Sequence, residues 1–120
     1  MLDHIGLRTK KFDALVGFYE SCLKPLGYSK LSAYEGGAGF GKGDVPSLWI
    51  GDSKDGPSSV HLAFESATRK AVDAFYKAAL ENGAKDNGKP GIRADYSPSY
   101  YAAFVIDPDG NNIEAVCMKA

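Results

Sequence analysis

The chain is 120 residues long, 12.8 kDa, with 44% hydrophobic and 24% charged residues, so one domain can bury a core without cross-links. Fourteen Lys and Arg stand against 15 Asp and Glu, a net charge of -1, which removes the basic surplus that nucleic-acid binding needs. No apolar run approaches the roughly 20 residues of a membrane-spanning helix.

The first element predicted is a strand at Leu2 to Arg8. Ile5 and Leu7 alternate with His4, Gly6 and Arg8. Phe12, Leu15, Val16, Tyr19, Cys22 and Leu23 then recur at helical spacing, and Pro25 and Gly27 close that helix. Three short glycine-punctuated strands follow at Tyr28–Ala33, Gly39–Lys42 and Ser47–Ile50, and Gly51–Ser58 is a linking loop. The same order then returns. Ser59 to Glu65 alternates as a strand. Val72, Phe75, Tyr76 and Ala79 form a helical stripe, with Ser66 or Thr68 to cap it and Gly83 to end it. Strands are expected around Lys85–Asn87, Tyr100–Ile106 and Asn112–Met118. The last two are joined by Asp107-Pro108-Asp109-Gly110, a type I turn composition. Gly88–Ser99 is a long loop in so small a chain, which marks it for function.

The second half repeats the first. At an offset of 57, His4 falls on His61, Ala14 on Ala71, Phe18 on Phe75, Tyr19 on Tyr76 and Leu23 on Leu80. The expected class is therefore α+β: two paired βαβββ modules, residues 1–57 and 58–120, making one domain. The helices must pack on Ile5, Leu7, Leu62 and Phe64. His4 and His61, the two histidines of the chain, then point to the opposite face. Alternation in the last strand places Glu114 with them. Two imidazoles and a carboxylate suit a divalent transition metal with open coordination positions. Trp49 is expected on this face, and Tyr101 and Ala103 are assigned to it as well. Arg93 and Tyr96 reach it from the long loop. All four are candidate substrate-binding residues, Arg93 as a clamp for an anion and the aromatics as stacking surfaces. Such a lining points to a small-molecule substrate. Cys22 and Cys117 lack metal or redox spacing and read as reduced thiols. The N-terminus shows no basic segment leading into an apolar stretch, so a cytoplasmic location is expected.

Several stretches together resemble the vicinal oxygen chelate superfamily of glyoxalase I, extradiol dioxygenases, and fosfomycin- and bleomycin-resistance proteins. They are His4, Phe18-Tyr19, Leu26-Gly27, His61-Leu62-Ala63-Phe64 and Asp107-Pro108-Asp109-Gly110-Asn111-Asn112-Ile113-Glu114. The resemblance implies paired βαβββ modules curled into a mostly antiparallel cup, with a homodimer as the common assembly. It also implies Fe, Mn, Zn or Ni held by His4, His61 and Glu114. The implied function is a metal-dependent lyase, isomerase or dioxygenase acting on an oxygen-chelating small molecule. The alternative is a metal-free binding protein of the bleomycin-resistance type.

The chain departs from each named activity. Glyoxalase I has a fourth ligand, usually glutamate, where Trp49 stands, and an indole N–H donates only. Extradiol dioxygenases usually carry a tyrosine ten residues before the glutamate, where this chain has Phe104. The arginine that fosfomycin-type transferases place after the glutamate has no counterpart among Ala115 to Ala120.

Overall fold

Strand alternation and helical stripes become two modules that share one core. In the computed structural model, which describes residues 2–119, the first module is β1 (Ile5–Thr9), α1 (Phe12–Leu23), a 3-10 turn (Lys24–Leu26), β2 (Ser29–Tyr34), β3 (Gly37–Gly41) and β4 (Leu48–Asp52). The second is β5 (His61–Glu65), α2 (Arg69–Glu81), β6 (Lys85–Ile92), β7 (Tyr101–Ile106) and β8 (Asn112–Cys117). Each module folds one four-stranded sheet, in the orders β1-β4-β3-β2 and β5-β8-β7-β6. In each sheet the first and last strands pair in parallel and the rest are antiparallel. Among the described residues no ladder hydrogen bonds join the two sheets, and each is mostly antiparallel, so the paired-module architecture is as expected.

Register makes the repeat visible. Trp49 pairs with Gly6 as Glu114 pairs with Ala63, so Trp49 and Glu114 occupy equivalent places. One face of each sheet carries the helices. From α1, Leu15, Phe18, Tyr19, Cys22 and Leu23 are buried, and from α2, Val72, Phe75 and Ala79. They meet Leu7, Leu48 and Ile50 in the first sheet and Val105, Ile113, Ala115 and Cys117 in the second. Burying a large apolar side chain contributes about 1.5–3 kcal/mol relative to leaving it in water. Neither module would retain this shared core alone. Thr68 caps α2 by accepting from the Ala71 amide, while Lys11 at the start of α1 offers no side-chain cap.

The modules are also tied by polar contacts. The Tyr19 hydroxyl of α1 donates to Asp107 Oδ2 at 2.5 Å, across to the turn between β7 and β8. Asn111 Nδ2 and the amides of Asp109 and Asn111 donate to the same carboxylate. Asp107 is thus a buried acid with four donors, which is what makes a charge tolerable there. Tyr28 meets Phe64 edge-on at 5.4 Å across the seam.

One expected boundary is corrected. Strand β6 runs on to Ile92, through residues read as loop. Two register irregularities, between Asp86 and Gly88 and between Gly88 and Gly91, let it continue. Pro90 is tolerated because β6 is an edge strand, where a missing N–H leaves no neighbour unpaired. The loop that remains, residues 93–100, is closed by the Arg93 amide donating to the Tyr100 carbonyl at 2.7 Å.

Candidate functional site

On the face of the second sheet away from the helices, Glu114 stands at the centre of β8. It is almost fully buried, at 2% exposure, although it is an acid on a strand. Two side chains cover it. His61 Nε2 lies 3.2 Å from Glu114 Oε1. The Tyr100 hydroxyl donates to Glu114 Oε2.

The second ring nitrogen of His61 defines its chemistry. Nδ1 lies 2.9 Å from the Asn112 carbonyl, which can only accept, so Nδ1 carries a proton. Nε2 is therefore the atom offered to Glu114. In the neutral ring it offers a lone pair, and a cation between Nε2 and the carboxylate would satisfy both. A metal-ligating histidine commonly donates its other ring N–H to a backbone carbonyl, as Nδ1 of His61 does here. The donor chemistry of His61 and Glu114 fits two ligands of a divalent ion.

Burial pushes the Tyr100 phenol up to about 12, helped by the hydrogen bond to Glu114 and that carboxylate's charge. Tyr100 therefore stays a neutral donor at ordinary pH. Phe104 pairs with Glu114 in register and shares its face. Its ring stacks on His61 at 6.3 Å between centroids, with 19° between planes. The Arg93 guanidinium lies over the same Phe104 ring, 5.4 Å from its centroid. Tyr96 meets Tyr100 edge-on at 4.9 Å and is itself exposed at the rim.

The residues expected at the site divide into three groups. His61, Glu114 and Arg93 share the open face of the second sheet, with Tyr96 at its rim. Trp49 belongs to the first sheet, and His4 stands just before its strand β1, outside the expected strand position. His4 is exposed, and its Nδ1 lies 2.7 Å from Asp3 Oδ1. Trp49 lies over Gly39, where a Cβ would come within 2.8 Å of the indole. Among the described residues no three of His, Cys, Asp and Glu converge on one point, so the chain by itself does not bring His4 to His61 and Glu114. His4 instead lines a cleft of about 180 Å3 at the seam, with Leu48 on one side and Leu62 and Ala63 on the other.

Tyr101 is a correction. It faces the helices, donates to Asp73 of α2 at 2.6 Å and lies under Arg69. The hairpin register explains the error. Tyr101 pairs with Cys117 and Phe104 with Glu114, and paired residues share a face. Counting outward from the turn at Asp107–Gly110 would have assigned Ala102 and Phe104 to the open face. That count would also have marked Phe104 as part of the site. The same count carried back to Tyr100, the first residue of the expected strand, would have put it on that face as well; in the structure it lies just before β7.

The match to known proteins agrees with this architecture. A family model described as "Glyoxalase/Bleomycin resistance protein/Dioxygenase superfamily" matches residues 1–115, and the chain belongs to that superfamily. A glyoxalase/bleomycin resistance protein from Albidiferax ferrireducens T118 has a similar structure, with a TM-score of 0.85 and 24% identity over 98% of both chains. A glyoxalase/bleomycin resistance protein/dioxygenase family enzyme from Burkholderia phytofirmans PsJN has a TM-score of 0.75 and 17% identity, again over 98% of both chains. A glyoxalase-related enzyme from Fulvimarina pelagi has a TM-score of 0.73 and 15% identity, over 98% of this chain and 87% of its own. At these identities the likeness is one of fold. Among curated proteins, none matches. No helix among the described residues is long and apolar enough to cross a membrane.

Proposed function

We propose that the protein is a metal-dependent enzyme of this superfamily, acting on a small molecule with neighbouring oxygen atoms. The observation that carries the reading is His61, tied by Nδ1 to the Asn112 carbonyl and presenting Nε2 to buried Glu114 at 3.2 Å. These two residues would hold a divalent ion, and His4 would be the third ligand. Since one chain leaves His4 at the seam, a homodimer in which His4 of a second copy completes the set is the assembly this reading requires. When bound, such an ion polarises the substrate oxygens it contacts. Glu114 presents a buried carboxylate, Tyr100 keeps a neutral hydroxyl proton on Glu114 Oε2, and Phe104 stacks on one side of the solvent-exposed His61 ring. Isomerase, lyase and dioxygenase chemistry all begin from such polarisation.

A second reading has its own support. Glu114 Oε2 already has the Tyr100 hydroxyl, and a His61 ring protonated on both nitrogens would donate to Oε1, so protein alone can satisfy the acid. That favours a metal-free pocket that sequesters a ligand against aromatics. Titration calorimetry with Zn, Mn, Ni and, without oxygen, Fe(II) separates the two. The enzyme reading expects one ion per site, lost in His61→Ala and in Glu114→Gln and weakened at least ten-fold in His4→Ala. No binding by the wild type, or equal binding by the His61 and Glu114 variants, supports the metal-free reading instead.

A further inference from the structure

Arg93 has no acid partner among the described residues. The ion pairs there are His4 with Asp3, Lys30 with Glu20 and His61 with Glu114. Its side-chain hydrogen bond runs from Nη2 to the Lys89 carbonyl at 2.7 Å, a contact that orients the guanidinium without neutralising it. The group is half-buried, and it is seated. Gly88 and Gly91 leave room for it, since a Cβ at Gly88 would come within 3.1 Å of Nη2 and one at Gly91 within 3.3 Å of Nη1. Gly88 also sits at φ 149°, where a side chain is strained. The Phe104 ring supports the flat side of the guanidinium. A long cation is thus held in one orientation by two glycines, a carbonyl and a ring, with its charge unspent.

The seat is on the ligand side. Gly88 pairs with Phe104, and Phe104 pairs with Glu114, so the three cross β6, β7 and β8 in one row. Strands lie about 4.8 Å apart, so Arg93 and Glu114 are one to two spacings apart, roughly 5–10 Å. We propose that Arg93 anchors an oxyanion of the ligand, a carboxylate or phosphate-type group, while the far end of the same molecule lies at His61 and Glu114. A carboxylate matches the planar, forked guanidinium with two parallel hydrogen bonds. The separation limits the ligand to a few heavy atoms between its anionic end and its other oxygens. Glu114 repels a second anionic end unless a cation intervenes, so the ligand is oriented with its charge toward Arg93. This inference rests on the open face being the ligand site, but it does not require a metal.

The test uses the full chain in EDTA at low ionic strength, so a failed metal reading does not affect it. Benzoate, its neutral counterpart benzamide, and inorganic phosphate are titrated while the Nε–H resonance of Arg93 is followed by NMR. The expected result is that benzoate binds and shifts this resonance, benzamide does not, and Arg93→Gln weakens benzoate at least ten-fold. Arg93→Lys, which keeps the charge but loses the fork, falls between, and Gly88→Ala weakens binding by displacing the guanidinium. Binding of phosphate with no response to benzoate assigns the anchor to phosphate-type ligands. The proposal is overturned if Arg93→Gln binds as tightly as wild type or if benzamide matches benzoate. It is equally overturned if neither anion moves the wild-type resonance, a readout that needs no folded variant.

Discussion

The two modules share a fold and differ in what they carry at equivalent places. In the second, the centre of the last strand is Glu114, buried beneath His61 and Tyr100. In the first, the equivalent place is Trp49, an indole resting on a glycine floor and 6.3 Å from the Tyr34 ring. The turns before the last strands differ likewise. Asp107–Asn111 is knotted around a buried carboxylate, whereas Lys42–Val45 is exposed. Duplicated backbones thus hold charge in one copy and aromatic surface in the other. The physical cost explains the division. A buried carboxylate needs several donors around it. The second module sets Tyr100 and His61 around Glu114, while the first sets Gly39 opposite Trp49.

The largest expected effect tests the knotted turn. Asp107→Ala strands the Tyr19 hydroxyl and the Asn111 amide in the core, and should cost about 3–4 kcal/mol in urea unfolding. Asp44→Ala in the exposed turn of the first module should stay within about 0.5 kcal/mol. Equal losses would show that the two turns contribute alike.

A smaller effect tests the glycine floor. Trp49 is the single tryptophan, so indole fluorescence, excited beyond tyrosine absorption, reports the first module alone. Gly39→Ala places a methyl within 2.8 Å of the indole and should lift it toward water. The expected result is a red-shifted emission and a loss of about 1–3 kcal/mol. Unchanged emission would mean that the indole does not rest there.

The smallest effect concerns Tyr100, whose phenol is raised from 10.0 to about 12. Because the folded value is raised, its contribution to stability is complete below about pH 10 and is lost as pH climbs through about 12. The difference in phenolate absorbance between wild type and Tyr100→Phe should be near zero at about pH 10 and emerge well above it. In Glu114→Gln that absorbance should appear earlier. A wild-type difference already half-developed at pH 10 would remove the Tyr100–Glu114 contact from the account.

The repeat, both helices and seven of the eight strands were legible in sequence to within a few residues, because period two and helical spacing are local signals. Strand β6 was cut short because its glycines and Pro90 read as a breaker, although an edge strand tolerates them. The open-face positions of His61, Glu114 and Trp49 followed from alternation. The same rule failed for Tyr101, because no strongly patterned run in β7 sets its parity, and that parity follows from the β7–β8 hairpin register about the Asp107–Gly110 turn.

The amino-acid sequence therefore determined the class of fold, the duplicated unit and the chemical types available at the site. Tertiary structure alone decided which of them meet. It set Tyr100 on Glu114, turned His61 Nδ1 to a carbonyl, laid Arg93 on Phe104 and kept His4 at the seam. Periodicity assigns a residue to a face, whereas distances between faces, loops and modules depend on register and packing, which no local pattern encodes.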